Sequence, residues 1–269
     1  MPSAQPIVDI HSHVYPDALA AKATQSVGDF YGLTMAEVGT VAGYLQAQAA
    51  AGVSYSVIQS VALKPENVVS INNFLAEAAA AHPSLIGFAT MHPDFTDVEA
   101  EVERAISLGL RGFKIHPDSQ QVNADDPRLM RLYAAIAGRL PLTIHAGDYR
   151  WDYSHPRRIR AVLRAFPNLT VNAAHFGGWS LFDLAVEFLE SEHCFMDLSS
   201  AMVWLGQRRT RELIEIYGPE RILFGSDYPM MTPAMELQRL AALQLDERSR
   251  ELILWRNAER FLGFDLPLR

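Results

Sequence analysis

The run Ile7-Val8-Asp9-Ile10-His11-Ser12-His13 decides how this chain is read. Three β-branched residues lead into two histidines, and the run stops at Tyr15-Pro16. A short β-branched run of this kind reads as a strand. Side chains two apart on a strand share a side, so His11 and His13 aim at one point. The same grammar recurs in Tyr55–Leu63, Leu85–His92, Leu110–His116, Leu142–Ala146, Leu169–His175, Cys194–Leu198 and Arg221–Asp227. Between these runs apolar residues fall at helical spacing, as in Val98, Val102, Ala105 and Ile106, or Leu129, Leu132, Tyr133 and Ile136. Gly52, Gly109 and Gly138 stand where helices close, and Pro83, Pro141 and Pro167 fall just before strands.

Strand followed by helix, eight times over, is the pattern of a parallel sheet with right-handed crossovers. An open doubly wound sheet would read similarly, but eight strands close most economically into a (β/α)8 barrel, the TIM-barrel class of α/β fold. Two helical patterns, Pro233–Leu245 and Glu247–Leu262, follow the eighth strand as extra C-terminal helices. Tyr15–Leu33 is the longest irregular stretch between a strand and its helix and is placed to act as a lid over the strand ends. No Gly/Ser/Pro-rich linker, charge block or low-complexity run interrupts the 269 residues, so residues 1–269 read as one domain.

Composition narrows the classes of function. With 49% hydrophobic and 20% charged residues the chain is globular. Its 23 basic against 31 acidic residues leave a net charge of −8, which argues against nucleic acid or an acidic membrane as partner. Cys194 is the lone cysteine, so an intramolecular disulfide is impossible and a reducing cytoplasm is the expected location. No stretch approaches the roughly 18 to 20 apolar residues of a spanning helix. The opening Met1-Pro2-Ser3-Ala4-Gln5-Pro6 lacks the basic patch and apolar run of a secretory signal.

In such a barrel the active site lies at the C-terminal ends of the strands. The residues found there are His11 and His13, Lys114 and His116, His145, His175, and Asp227. A lone strand histidine is more often a satisfied core or surface residue. His11, His13, His145 and His175 together with Asp227, all facing one mouth, are different, because burying them costs several kcal/mol unless they are paired or metal-bound.

The motifs Val8-Asp9-Ile10-His11-Ser12-His13, Gly112-Phe113-Lys114-Ile115-His116-Pro117, Ile144-His145-Ala146-Gly147, Ala174-His175-Phe176-Gly177-Gly178 and Phe224-Gly225-Ser226-Asp227-Tyr228-Pro229 run from the first strand to the last. In that order they resemble the amidohydrolase superfamily, and within it the amidohydrolase-related branch that includes aminocarboxymuconate-semialdehyde decarboxylase. Arg256-Asn257-Ala258-Glu259-Arg260-Phe261-Leu262 resembles the final helix of that family. The resemblance implies that His11, His13, His145 and Asp227 hold one divalent metal with open positions for water or substrate. Such a donor set suits zinc best, with manganese, iron or nickel as further candidates. His175 would be the acid/base beside the metal, and Asp227 would accept a proton as well as bind the ion. Lys114 would line the pocket as a charged wall or substrate-carboxylate partner. Carbamylated, it would instead bridge two ions, with His145 and His175 on the second.

Candidate substrate contacts are Lys114, His116, Arg150 and Tyr228. Arg150 is positioned either to grip a carboxylate or to pair with Asp148 or Asp152. Tyr15, Ser199, Ser200 and Trp204 are further candidates for the mouth, whereas Met230 and Met231 read better as core. The resemblance implies a metal-dependent hydrolase in which activated water attacks an amide, lactone or ester carbonyl of a small, carboxylate-bearing molecule. The alternative is non-oxidative decarboxylation of an aromatic or unsaturated carboxylic acid. A barrel reduced to a scaffold would be expected to lack a ligand, and none is missing here. A homodimer is compatible with the family.

Overall fold

The computed structural model of the protein describes residues 5–267. Its strands are β1 Val8–His13, β2 Tyr55–Gln59, β3 Leu85–Gly87, β4 Ala89–Thr90, β5 Phe113–Ile115, β6 Leu142–Ile144, β7 Val171–Ala173, β8 Phe195–Asp197 and β9 Ile222–Leu223. They pair in parallel, β1 to β3 in one ladder and β4 to β9 in another.

The two ladders are arcs of one ring. Phe88, between β3 and β4, donates its N–H back to Ile58 O, while Ala89 donates forward to Gly112 O. The two segments are therefore halves of a single kinked strand, and the staves number eight. On the other side the ring is closed by backbone bonds from Ile10 N–H to Phe224 O (2.9 Å), Asp227 N–H to His11 O (2.7 Å) and His13 N–H to Tyr228 O (2.6 Å). The fold is the (β/α)8 barrel that the strand count leads one to expect.

Residue parity separates the two faces of the ring. Phe113, Ile115, Leu142, Ile144, Val171 and Ala173 pack in one apolar cluster with helix residues such as Val102, Leu132, Val162 and Leu213. The residues between them, Thr90, Lys114, Thr143 and Asn172, are register partners across neighbouring strands and form a buried polar row on the inner side. Val8, Ile10, Phe88 and Leu223 pack with Ala258, Phe261 and Leu262 of the C-terminal helices. Those helices are Pro233–Ala242 and a run from Glu247–Glu251 through a π turn at Leu252–Arg256 to Asn257–Leu262.

Two expectations are corrected. The strands are shorter than the apolar runs: Leu110–His116 contributes only Phe113–Ile115 to its ladder, and Arg221–Asp227 only Ile222–Leu223. At the mouth the backbone leaves the ladder, with His175 at φ 58° and Asp227 at φ 60°. The left-handed conformation is costly for a residue with a side chain, and here it falls on two candidate site residues. The stretch Tyr15–Leu33 is not irregular either, because Asp17–Tyr31 is an α-helix that ends on a left-handed Gly32. Its helical signal is blurred by β-branched Thr24 and Val27 and by Gly28. Gly28 packs so closely that a Cβ there would lie 2.8 Å from Leu33 O.

Among the described residues no helix is long and apolar enough to cross a membrane. Residues Met1 to Ala4, the start of the stretch without a secretory signal's basic patch and apolar run, lie outside the described residues, as do Leu268 and Arg269.

Candidate active site

The strand ends bring together six of the polar residues singled out above. His11 Nε2 lies 3.2 Å from His13 Nε2, 3.4 Å from Asp227 Oδ1 and 3.1 Å from Lys114 Nζ. His13 Nε2 is 3.6 Å from the same Asp227 oxygen. The His175 ring stands between this group and His145, with centroids 5.0 Å from His11 and 4.8 Å from His145. His175 Nε2 and His145 Nδ1 are 3.1 Å apart. His11, His13 and Asp227 thus form one tight group, and His145 reaches it only by way of His175.

Hydrogen bonds on the far side of each ring decide which nitrogen faces inward. His11 Nδ1 lies 2.9 Å from Asp197 Oδ2, and an ionised carboxylate can only accept. His11 therefore carries hydrogen on Nδ1 and turns a lone pair on Nε2 toward the cluster. His175 Nδ1 lies 2.8 Å from the Ser199 carbonyl, which likewise can only accept, so its Nε2 is also a lone pair. Asp227 is oriented by the Ser200 hydroxyl, which donates to Oδ2 at 2.8 Å and leaves Oδ1 for the cluster.

Lys114 Nζ meets only His11 Nε2 among these atoms, and imidazole lone pairs and a carboxylate oxygen packed this closely are relieved of their mutual repulsion by a cation among them. The residues present therefore fit a divalent metal: His11, His13 and Asp227 offer ligand atoms to one point, while His145, 3.1 Å from His175 and 3.7 Å from Asp118, falls in a neighbouring group with His116 and Asp118 rather than directly beside them. Burial, reinforced by Lys114 and neighbouring rings, holds the imidazoles of His13 and His145 well below their usual pKa. Burial also lowers His175, to about 4, although Asp227 and Asp197 partly oppose it. Neutral rings are the form a metal takes. Lys114, fully buried, is lowered by desolvation to about 8 against the pull of Asp227 and Asp197.

Asp197 was not among the residues the strand ends suggested, yet it organises the cluster. Besides His11 it accepts Asn172 Nδ2 at 2.7 Å, the His175 N–H at 3.0 Å, the Ser199 N–H at 3.1 Å and the Ser199 hydroxyl. Burial alone would raise its pKa, but His11, His175 and these bonds hold it far below the usual carboxylate range. Its sequence signal, an acid closing the run Phe195-Met196-Asp197, has the form already recognised at Asp227. Asp9 plays a similar part below Asp227, accepting from the N–H groups of His11 and Ser226 and from the hydroxyls of Tyr44 and Ser226.

A cavity of about 480 Å³ opens over the cluster. Its polar floor is His11, His13, Lys114, His116, His145, His175 and Asp227, and its walls include Leu19, Val27, Phe30, Met35, Leu63 and Met230. Tyr15 and Tyr31 also line it. Met230 is thus a pocket residue rather than only core.

Two expected substrate contacts lie elsewhere. Arg150 does not line the cavity: its guanidinium is committed to Asp148 through Nε and Nη2, both under 3.0 Å, and to the Phe30 carbonyl through Nη1. Asp148 is fully buried and needs that partner, which leaves no free fork for a substrate carboxylate. Tyr228 is also buried, donating to Val38 O at 2.9 Å and packing on Tyr44, while its neighbours Pro229 and Met230 reach the cavity. Ser199 and Ser200 act by orienting His175 and Asp227, and Trp204 is exposed.

A barrel with imidazoles and a carboxylate gathered over the C-terminal ends of its strands defines a class, the metal-dependent TIM-barrel enzymes. A profile described as amidohydrolase matches residues 8–264, and the chain belongs to that family. It is an enzyme of the family's hydrolase or decarboxylase kind, dependent on a divalent metal. Among solved structures, 5-carboxyvanillate decarboxylase from Sphingomonas paucimobilis is similar at TM-score 0.76 and 19% identity, over 97% of this chain and 100% of the other. A candidate 2-pyrone-4,6-dicarboxylic acid hydrolase from Pseudomonas putida is similar at TM-score 0.70 and 19% identity, over 98% and 99%. A dihydroxybenzoic acid decarboxylase from Polaromonas, solved with manganese and the inhibitor 2-nitroresorcinol, is similar at TM-score 0.73 and 16% identity, over 97% of each chain.

Proposed function

We propose that this enzyme hydrolyses an amide, lactone or ester bond of a small carboxylate-bearing molecule, with one zinc ion held by His11, His13, His145 and Asp227. The observation that carries the reading is the placement of Asp227. One carboxylate oxygen lies against His11 and His13, and the other is fixed by Ser200. A bound divalent ion supplies Lewis acidity and lowers the pKa of water toward about 7. Asp227 would take the proton of the attacking water on Oδ1, the oxygen turned to the cluster, since Oδ2 already accepts from Ser200. The Ser199 carbonyl fixes the hydrogen of His175 on Nδ1, which leaves Nε2, beside His145 Nδ1 at 3.1 Å, as the lone pair that would pass the proton taken by Asp227 on to the leaving group. Lys114 on the cavity floor and Lys22 at the wall favour an anionic substrate. The imidazole-rich donor set favours zinc, and manganese is the second choice because a relative binds it.

Decarboxylation of an aromatic acid is the second reading. The apolar walls and the aromatic rings of Tyr15, Phe30 and Tyr31 suit a flat substrate, and two of the similar structures are decarboxylases of aromatic acids. Metal content by elemental analysis, followed by turnover of lactones, esters, amides and aromatic carboxylates, tests both. A new carboxylate product supports hydrolysis, and released carbon dioxide supports the second reading. A chain that takes up no metal would sink both.

A further inference from the structure

At the mouth of the cavity a hydrogen-bond chain has its direction set by the backbone. His116 stands before the short helix Pro117–Gln120, and its Nδ1 faces the Ser119 N–H at 3.3 Å. A backbone N–H can only donate, so Nδ1 is an acceptor and the neutral ring carries its hydrogen on Nε2. Nε2 lies 2.7 Å from the Tyr31 hydroxyl oxygen and therefore donates to it. The hydrogen of Tyr31 itself is left over, and among the described residues it meets no protein acceptor.

That hydroxyl is held rigidly. The Tyr31 ring packs on Trp179 at 4.9 Å and edge-on to Phe30 at 4.8 Å. Arg150, bound to Asp148, donates to Phe30 O and lays its guanidinium 4.8 Å over the Phe30 ring, which pins the end of helix Asp17–Tyr31. Tyr31 and His116 line the same cavity as His145 and Asp227.

We propose that Tyr31 positions the substrate, its O–H donating to a carboxylate, phenolate or carbonyl oxygen of a flat molecule lying over the candidate metal cluster. His116 fixes the direction of that donation and thereby selects for an acceptor. This rests on the reading of the cavity as the substrate site. It also gives the site the oriented polar contact that Arg150 does not provide.

The test titrates metal-loaded wild type, Y31F and H116F with 2-nitroresorcinol, a flat acceptor-bearing probe whose visible band responds to hydrogen bonding. Y31F keeps the ring and removes only the donor. The expected result is binding about ten-fold or more weaker in Y31F, with a shifted visible band and unchanged metal content. H116F, which keeps the hydroxyl but releases its direction, should weaken binding less. Equal binding by wild type and Y31F, or no saturable binding by wild type, overturns the proposal. Failure of the underlying reading would show separately, as a wild-type chain that retains no metal in the elemental analysis of the same preparation.

Discussion

Asp197 holds His11 across 2.9 Å on the side of the ring away from the cluster, and the same carboxylate receives the backbone N–H of His175. One buried acid thus sets the tautomer of one candidate ligand and the position of the candidate acid/base. Replacing it with asparagine would oppose an amide N–H₂ to groups that now donate. We expect Asp197→Asn to weaken metal affinity by about 10- to 100-fold, as removal of such supporting partners does. Competition with a chromogenic chelator measures it, and unchanged affinity would remove Asp197 from the site.

His11→Ala and His175→Ala should part company. The first removes a donor in contact with both His13 and Asp227, and the protein should then lose its metal. The second should keep the ion and lose most turnover. Equal metal loss in the two variants would favour a two-ion site with His175 as ligand and a carbamylated Lys114 as bridge.

Arg150→Ala should act on stability before it acts on substrate affinity. It leaves the Asp148 carboxylate buried without its partner, and breaking a buried pair costs about 3 to 5 kcal/mol. Arg150 is 26% exposed, so we expect the lower end of that range. Urea denaturation should show the loss. Unaltered stability with a raised KM would return Arg150 to the substrate.

Glu236 gives the fold a pH dependence. It is buried, one oxygen has no partner, and desolvation raises its pKa from 4.5 to about 8 against the pull of Arg239. A raised carboxyl pKa means that the folded state holds a proton the unfolded chain has already released. Its contribution is therefore fully present below about pH 4.5 and is lost as pH rises through about 8. Glu236→Gln should flatten that decline and stabilise the protein at pH 9 by at most a few kcal/mol, with little gain at pH 5. Denaturation curves at the two pH values check it, and an equal change at both would contradict the assignment.

Much of this protein is determined by local sequence. Short β-branched runs separated by helical spacing specify eight parallel strands, because backbone pairing and side-chain parity act over a few residues. The same logic places His11, His13, His145, His175 and Asp227 at one end of the ring, since a parallel barrel puts the end of every strand at the same mouth. Tertiary structure alone decided what each polar group faces. Arg150 turned to Asp148 and Phe30 rather than to the cavity because a buried carboxylate 2.7 Å away outcompetes solvent or ligand for its fork. Tyr228 sank beneath the floor, and Tyr31, on a helix whose pattern is obscured by Thr24, Val27 and Gly28, became a wall of the site. Which nitrogen of His11, His116 or His175 carries hydrogen depends on Asp197, Ser119 and Ser199. Two of these partners lie more than twenty residues away in sequence: pairing of β7 with β8 brings Ser199 to His175, and closure of the ring brings Asp197 to His11.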